Sequence, residues 1–386
     1  MILALQRSCS LRMQSVLLGV CADLTLSKQA LHKRLNAGAC GFLQQCLASA
    51  IAWRTPSAGH LKGIGFKRVL VHDSTCLSLP ATLAAFFPGP ANQSGKPQAS
   101  LRIQCLYDLC AERFVAFLLC PFTRNDQAAA SDPIGLLRAG DILLRDLGYF
   151  TLASLRAIAA KGAFFLTRCH CGSSLLDPLS GLPIDLTRIL RRDQVLDIPV
   201  LAGQREKLPL RLLALPLPDA LGNQRRRKAR ANRDKRLHHS EAYLHLLGWN
   251  LLLTNASPAQ LSATKAARLY GLRWRIEILF KSWKSHLGLR CPNRIGRYQA
   301  QVLVYGLLLF AVLTHHCLPQ LADTLALPSS QSFLKTTQLL AQWILPSLLA
   351  TGIDLPRRLM DQLSFHCLYD KRRRSNYYAL KVSCLS

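Results

Sequence analysis

The hydrophobic pattern at the start of the chain predicts helices. In the segment SKQALHKRLNAGACGFLQQCLASAIAW, apolar residues recur at helical intervals, with Arg and Lys between them. That spacing places the apolar side chains on one face of a helix. We therefore predict a helical region over residues 1–64, which serves either as a lid on the core or as a surface that contacts a partner.

From Lys67 onward the pattern changes to one typical of β-strands. The runs KRVLVHDST, SLRIQCLYDL and RFVAFLLC are short and rich in β-branched and aromatic residues, and GAFFLTRC repeats this pattern from Gly162. Together they predict the opening strands of a mixed sheet. Between them, the apolar positions of the segment from Pro133 to Leu147 predict a helix.

Residues 165–255 form a segment of different composition. They contain many prolines, short apolar runs such as IPVLAG and LPLRLLALPLP, and the basic stretch QRRRKARANRDKR from Gln224 to Arg236. This composition predicts a strand-rich insertion that carries a charged loop. The run WNLLLTN at its end then predicts a buried strand.

The last third of the chain is predicted to be helical. The apolar spacing indicates one long helix from about Ser262 to Leu287, an apolar helix from about Tyr298 to His316, and further helices to about Phe365 before a basic tail. The longest apolar run, Val302–Leu313, is shorter than the roughly 20 residues that cross a membrane. We predict a buried core helix there and no membrane association.

Composition indicates a polyanionic partner. The chain has 49 Lys and Arg against 21 Asp and Glu, a formal net charge of +28. Such an excess repels itself unless a polyanion, above all a phosphate backbone, neutralises it. An anionic membrane surface is the alternative, but no basic stretch carries the apolar face that would lie in the interface.

The 14 cysteines have no regular spacing and are typical of free thiols in a reducing cytosol. Cys169-His170-Cys171 suggests a zinc site, but no second ligand pair at the spacing of a zinc finger accompanies it. A metal site of this kind is therefore the weaker interpretation of these residues.

Two aspartates follow apolar runs where a sheet could present them. Asp73 ends the run VLVHD and precedes Ser74 and Thr75, and Asp146 lies in GDILLRDLGYF. Side chains at strand ends commonly form sites, and carboxylates bind hard divalent metals. Each aspartate has a simpler interpretation as a turn or helix-end residue. Asp141 competes with Asp146 within the same segment.

The segment YGLRWRIEILFKSWKSHLGL gathers polar groups on one helix face. At about 100° per residue its polar members fall within an arc of roughly 80°: Tyr270, Arg273, Glu277 and Lys284, with Lys281 beside them. The opposite face is apolar and consists of Leu272, Ile276, Leu279 and Trp283. Because pairs of opposite charge four residues apart also occur on solvated surfaces, the helical spacing alone leaves both interpretations open.

Three motifs together resemble those of a known enzyme family. The spacing Y-x2-R-x3-E-x6-K at Tyr270–Lys284, the D-S-T at Asp73–Thr75 and the D-x-G-Y at Asp146–Tyr149 stand in the order found in DDE transposases of bacterial insertion sequences. The first of them is similar to the motif that names the Tyr-Arg-Glu-Lys branch. With the helical lead-in KQALHKRLN, the resemblance runs from about Ser27 to Leu313.

The resemblance implies an α/β fold with an RNase H-like catalytic core, a mixed five-stranded sheet flanked by helices. It adds a β-rich insertion and helical N- and C-terminal regions. On this chain it implies the helical region 1–64, a first part of the core at 65–164, the β-rich insertion with its basic loop at 165–255, the last acidic residue with the motif helix at 256–320, and a helical C-terminal region at 321–386.

The resemblance also implies a catalytic site. Asp73, Asp146 and Glu277 would ligate two Mg2+ ions, with Mn2+ as a substitute, for phosphoryl transfer on DNA. Members of the branch cut one strand with water, and the freed 3′ hydroxyl then attacks the opposite strand and closes a hairpin. The residues expected to contact DNA near the cleaved end are Tyr270, Arg273, Lys281 and Lys284.

Two further features suit DNA. Trp249 resembles the tryptophan on which the family stacks a flipped base, and a buried tryptophan at a strand end is the alternative. The basic stretch is expected to bind along the phosphates of the DNA backbone, and a solvated loop is the alternative. Its predicted DNA-binding residues are Arg225, Arg226, Arg227 and Lys228.

We therefore predict a cut-and-paste transposase that acts on double-stranded DNA, both at the terminal inverted repeats and at the target. By the same resemblance it would work as a homodimer on DNA in the bacterial cytoplasm, associated with the nucleoid. Two alternatives remain: a decayed copy that only binds DNA, and a metal-dependent nuclease without strand transfer. The presence of all three acidic residues argues against the decayed copy. Only the motif helix distinguishes a transposase from the nuclease.

Overall fold

The computed structural model describes residues 10–22, 26–53, 65–91, 95–190, 194–231, 239–285, 291, 295–324, 335 and 338–339. The chain divides into two compact units. The first consists of the described residues within Met1–Leu61, Ser74–Asn125 and Trp274–Ala379, and the second of those within Lys62–Asp73 and Asp126–Arg273.

Nine strands form one mixed sheet in the order β3-β2-β1-β4-β5-β9-β8-β7-β6. Their bounds are β1 Val69–Leu79, β2 Ala99–Asp108, β3 Arg113–Pro121, β4 Ile142–Arg145, β5 Phe164–Arg168, β6 Leu175–Leu176, β7 Leu196–Ala202, β8 Leu208–Pro216 and β9 Trp249–Thr254. The first four strands that the sequence predicts, at KRVLVHDST, SLRIQCLYDL, RFVAFLLC and GAFFLTRC, are β1, β2, β3 and β5.

The first five strands have the arrangement expected of an RNase H-like core. β2 and β3 are antiparallel, whereas β1, β4 and β5 run parallel, with a helix, α4 (Leu152–Ala160), between β4 and β5. Parallel neighbours need such crossovers, which cover the sheet and bury its strands on both faces. All four residues of β4 are accordingly buried. The structure confirms the predicted α/β fold class.

The remaining four strands extend the same sheet beyond β5. β9 pairs antiparallel with β5, and β8, β7 and β6 follow as an antiparallel ribbon. Three helices lie in this stretch of sequence: α5 Leu186–Ile189, α6 Asp219–Arg230 and α7 Glu241–Leu246. The prediction of a charged loop from Gln224 is wrong as far as Arg230, because α6 covers these residues; residues 232–238 lie outside the described part.

The first unit carries most of the other helices. They are α1 Leu11–Ala22, α2 Lys28–Arg34, α3 Ala37–Ala52, α9 Trp274–Ser285 and α10 Arg297–Thr324. Ser27 and Asn36 cap α2 and α3, because their side-chain oxygens accept from backbone N–H groups of the first turn. α10 packs against α3 within this unit. The predicted helices between residue 325 and Phe365 lie outside the described residues, apart from positions 335 and 338–339.

One described helix is long and apolar enough to cross a membrane by length and composition, at Arg297–His316. It is thus longer than the apolar run Val302–Leu313 suggests. The structure buries 61% of its most apolar window inside the protein. Val304, Leu308 and Val312 are among its fully or almost fully buried residues, as the predicted core helix requires.

Two predicted helices differ from the structure. The segment from Pro133 to Leu147 contains only a short 3-10 helix, Asp132–Leu136, followed by strand β4. β4 is buried at all four positions and three of them are apolar, so it lacks the alternation of a half-exposed strand and its periodicity resembles that of a helix. The long helix predicted from Ser262 to Leu287 is two helices, α8 (Ala263–Leu272) and α9, with a break at Arg273.

Candidate active site

Asp73 and Asp146 occupy equivalent places on neighbouring parallel strands. His72 of β1 pairs with Arg145, the last residue of β4. Each of these two residues directly precedes one of the aspartates, so both carboxylates belong to the carboxyl end of the β1–β4 pair. In open sheets with parallel strands, ligands commonly bind at this end. β1 itself continues past Asp73 to Leu79.

The side chain of Asp146 is not used as a helix cap. Its residue occupies the N-cap position of the 3-10 turn Leu147–Tyr149, yet its carboxylate makes no capping hydrogen bond. The competing Asp141 directly precedes strand β4 and is fully buried. Arg68 donates from Nε to its Oδ1 at 3.0 Å and from Nη2 to its Oδ2 at 2.5 Å. Asp141 is therefore a structural residue, placed at the other end of β4.

Arg273 contacts the first aspartate directly. Its Nη1 donates to Oδ2 of Asp73 at 2.9 Å, and only 11% and 16% of the two side chains are exposed. Arg273 lies at the break between α8 and α9, where its backbone N–H donates to the carbonyl of Tyr270. The break in the helix thus directs the guanidinium of the motif toward a predicted catalytic carboxylate.

Tyr270 contacts the second aspartate. Its hydroxyl lies 3.2 Å from the carbonyl oxygen of Arg145 and 3.3 Å from Oδ1 of Asp146. Burial, reinforced by the charge of Asp146 and opposed by Arg273, raises the pKa of Tyr270 above its ordinary value. The phenol therefore stays protonated and acts as a hydrogen-bond donor. Four residues predicted for the site are thus brought together within the second unit.

Three residues beside the aspartates support this pair of strands, and the sequence motifs single out only one of them, Tyr149. Arg145 is 1% exposed; its Nη2 donates to the carbonyl of Ala130, and its Nη1 donates to Oγ of Ser154 at 3.4 Å. Burial lowers the pKa of Arg145 to about 10, so it remains cationic at neutral pH. The ring of Tyr149 lies 4.3 Å from that of His72 and 5.8 Å from the Arg145 guanidinium. The sequence signal that could have identified Arg145 is its charge within the otherwise apolar run that precedes Asp146.

Two further arginines place positive charge near Tyr270. Arg168 ends β5, one position beyond Thr167, which pairs with Arg145. Arg225 of α6 donates from Nη1 to the carbonyl of Trp249 at 3.2 Å. Burial, followed by the charge of Arg168, lowers the pKa of Arg225, while Tyr270 opposes that shift. Arg168 was not predicted, whereas Arg225 was.

The second half of the motif lies on α9 in the first unit. Glu277 occupies the first turn of this helix and is partly exposed, and Lys281 and Lys284 are exposed. Lys281 Nζ lies 4.6 Å from the ring centre of Trp274, which is 50% exposed. At about 100° per residue these four side chains share one face of α9. The interpretation of the motif as a solvated surface therefore suits the lysines but not Tyr270 or Arg273, which are buried.

The donor set of the site suits a hard divalent cation. Asp73 and Asp146 offer carboxylate oxygens, which Mg2+ and Mn2+ prefer, and the guanidinium of Arg273 already holds a positive charge against one of them. Within the described residues, no group of three or more His, Cys, Asp or Glu side chains is arranged to hold a metal ion. The two aspartates of the second unit have the chemistry of ligands for such an ion.

The cysteines suggested as zinc ligands serve a turn instead. Burial raises the pKa of Cys169 to about 12, which disfavours the thiolate that zinc requires. Nδ1 of His170 accepts a hydrogen bond from the backbone N–H of Gly172 at 3.0 Å. These contacts close the turn that follows β5.

The basic helix and Trp249 border a cavity in the second unit. Arg226 donates from Nε to the carbonyl of Leu244 and from Nη1 to Oδ1 of Asn223, whereas Arg227 and Lys228 are exposed. Trp249 begins β9 and is 6% exposed, which matches the buried tryptophan at a strand end. A cavity of about 340 Å³ is lined in part by Asn223, Arg226, His245 and Trp249.

The sequence of the chain is similar to those of known proteins. The family model described as "Transposase DDE domain" matches residues 64–313. The transposase for insertion sequence element IS231B of Bacillus thuringiensis subsp. berliner is 26% identical over 309 residues, 74% of this chain and 64% of that protein. The transposase for IS1151 of Clostridium perfringens is 23% identical over 312 residues, 75% of this chain and 66% of that protein.

A solved structure, described as piggyBac transposase in a synaptic complex with hairpin DNA, aligns with a TM-score of 0.44 and 12% identity over 96% of this chain and 74% of that one. The chain spans about 64% of the length of the IS231B relative that it matches. The family model covers more than half of the chain and includes Asp73, Asp146 and Glu277. The chain therefore belongs to the transposase DDE domain family.

Proposed function

We propose that the chain is a transposase that cleaves DNA strands at the terminal inverted repeats of an insertion sequence and joins them to target DNA. The observation that supports this proposal most directly is the contact of Arg273 with Asp73 and of Tyr270 with Asp146. Four residues from three separate segments of the sequence meet at the end of two parallel strands. Each is of the type that phosphoryl transfer needs.

Asp73 and Asp146, with Glu277 as third carboxylate, would hold two Mg2+ or Mn2+ ions. When bound, such ions activate the attacking oxygen and stabilise the leaving oxygen of an in-line displacement. The residues of the chain hold the ligands in place. The paired positions of His72 and Arg145 fix the two strand ends, and the Tyr270 hydroxyl restrains one oxygen of Asp146.

The positive side chains around these carboxylates would bind DNA phosphates. Arg273, Arg168 and Arg225 supply guanidinium groups, whose planar forks match phosphate oxygens. On α9, Lys281 and Lys284 are exposed and share a face with Glu277. These groups would position a phosphate at the carboxylates, because nearly all the catalysis in such reactions is positioning and electrostatic stabilisation.

Members of the Tyr-Arg-Glu-Lys branch form a hairpin on the transposon end, and we assign this chain to that branch on its motif. A hairpin requires an unstacked base, which an aromatic ring can hold. The cavity lined by Arg226 and Trp249 suits this role, with Arg227 and Lys228 exposed on the neighbouring helix for nonspecific phosphate contacts. The protein would act as a homodimer that pairs two ends in the bacterial cytoplasm.

Cleavage of the element's own end DNA tests the proposal. Purified protein, Mg2+ and a labelled duplex carrying the inverted repeat that flanks the coding sequence are incubated, and the strands are resolved on a denaturing gel. Asp73→Asn, Asp146→Asn and Glu277→Gln are compared with wild type. Asp177→Asn is the matched control, because Asp177 is a partly exposed carboxylate whose contacts close a turn.

Nicks followed by a hairpin, seen with wild type and Asp177→Asn but with none of the other three variants, would support the transposase and its three carboxylates. Cleavage without any joined product would favour the nuclease without strand transfer. Binding without cleavage in every protein would show a decayed copy that still binds DNA.

A further inference from the structure

We infer that Arg273 acts as an internal counter-ion that occupies Asp73 until a DNA phosphate draws it away, so that metal binding at this carboxylate is coupled to DNA binding. The inference rests on the proposed function, since it takes Asp73 to be a metal ligand. It adds a regulatory role for Arg273 to the phosphate contact that the motif predicts.

The contact itself has the geometry of a strong ion pair. Nη1 of Arg273 lies 2.9 Å from Oδ2 of Asp73, and both side chains are largely buried. Charge-assisted hydrogen bonds of this length are about twice as strong as neutral ones. A divalent ion that uses Oδ2 of Asp73 competes with the guanidinium for that oxygen, because an oxygen atom shared with a second cation is a poorer ligand.

Arg273 is well placed to change partners. It lies between α8 and α9, and its backbone is fixed by the hydrogen bond from its N–H to the carbonyl of Tyr270 at 3.1 Å. Its guanidinium also lies 5.7 Å from the ring centre of Tyr270. Rotation of the side chain about its own torsions therefore redirects the charge without movement of the helix ends.

Phosphate is the natural competitor for this guanidinium. Arg binds phosphate with two parallel N–H donors, and its charge persists at every pH at which proteins work. A phosphate beside the aspartates would attract Arg273 while it repels their carboxylates. By thermodynamic linkage, DNA must then tighten metal binding by the same factor by which the metal tightens DNA binding.

The inference is tested by Mn2+ binding, measured by calorimetry on the full chain without DNA. Arg273→Gln removes the charge and keeps a hydrogen-bond donor, and Arg273→Lys keeps the charge. Arg188→Gln removes the same charge from an exposed position on α5 in the same unit. Asp73→Asn removes the carboxylate that is in question. Circular dichroism of each variant checks that it is folded.

We expect Arg273→Gln to bind Mn2+ about tenfold more tightly than wild type, with Arg273→Lys and Arg188→Gln close to wild type. A short DNA duplex should tighten Mn2+ binding by wild type and by Arg188→Gln, and much less by Arg273→Gln. Unchanged or weaker Mn2+ binding by folded Arg273→Gln overturns the inference.

The result for Asp73→Asn separates the two levels of the proposal. If Asp73→Asn loses Mn2+ affinity while Arg273→Gln is unchanged, the counter-ion role alone is wrong and the proposed metal ligand stands. If Asp73→Asn binds Mn2+ as wild type does, Asp73 is not a ligand, and both the proposed metal site and the inference fail.

Discussion

Asp141 and Asp146 flank the same four-residue strand, yet one is locked to Arg68 and the other touches the hydroxyl of Tyr270. Asp141 also accepts from the backbone N–H of Arg138 at 2.7 Å. The two carboxylates are five positions apart in sequence and have opposite tasks. One maintains the fold, and the other is the carboxylate that we propose for chemistry.

Asp141→Asn and Asp146→Asn should therefore have opposite effects. Removal of the Asp141 charge leaves Arg68 without its buried partner, which is expected to lower the free energy of unfolding by about 3–5 kcal/mol. Asp146→Asn should change that free energy little and abolish cleavage. Urea unfolding and single-turnover cleavage on the same preparations measure both, and equal loss of stability in the two variants would contradict the assignment.

Tyr270→Phe should slow cleavage and lower the free energy of unfolding by no more than about 1.5 kcal/mol. The substitution keeps the buried ring and removes only the hydroxyl that lies 3.3 Å from Oδ1 of Asp146. One such hydrogen bond contributes roughly 0.5–1.5 kcal/mol, so we expect the single-turnover rate to fall by about 2- to 13-fold. Tyr243→Phe, which removes a hydroxyl from α7, is the control. A rate equal to wild type would show that the hydroxyl does not position Asp146.

Lys284→Ala should weaken DNA binding in a salt-dependent manner. Lys284 is exposed on the face of α9 that carries Glu277. Loss of one phosphate contact should reduce the slope of log affinity against log salt by about 0.9. Lys161→Ala is the control, since Lys161 caps the C-terminus of α4 just before β5 begins, at the opposite end of that strand from Arg168. Affinity measured from 50 to 200 mM salt decides the outcome.

His315 should make the first unit sensitive to acid. Burial lowers the pKa of His315 to about 4, and Nε2 lies 3.0 Å from the hydroxyl of Tyr107. The folded state therefore binds this proton less readily than the unfolded chain, whose histidine has its ordinary pKa near 6.5. The stability that the fold gains by keeping His315 neutral is fully present above pH 6.5, and it is lost as the pH falls toward 4.

As the pH is lowered from 6.5 to 4, the urea concentration at the midpoint of unfolding should accordingly decrease in wild type, and it should decrease less steeply in His315→Gln. His32→Gln, at an exposed position of α2, should follow wild type. Parallel acid curves for wild type and His315→Gln would exclude His315 as the responsible group.

Much of the fold follows from local pattern. The strands β1, β2, β3 and β5 are predicted because each is a short run rich in β-branched and aromatic residues. β4 escapes prediction because all four of its residues are buried, so that its alternation disappears. The break at Arg273 is also missed, since the apolar spacing continues through it and Arg273 itself keeps helical backbone angles.

The sequence predicts the residues of the candidate site that carry its motifs, but not all the residues that hold them in place. Asp73, Tyr270 and Arg273 are identified by motif, and the structure brings them together with Asp146. Arg145 and Arg168 are not identified, because an arginine that ends an apolar run has no local signal of its partner. Their roles depend on the pairing of β4 with β5, which the sequence does not specify residue by residue.

The Asp73–Arg273 ion pair also ties distant parts of the sequence together. One salt bridge joins two residues of the second unit that are 200 positions apart in the chain. Loss of either charge leaves the other buried without this partner, which is costly whatever the protein does. In a library of all single substitutions, positions 73 and 273 should therefore tolerate fewer replacements than exposed positions of the strand-rich extension, even when the selection asks only for a folded protein.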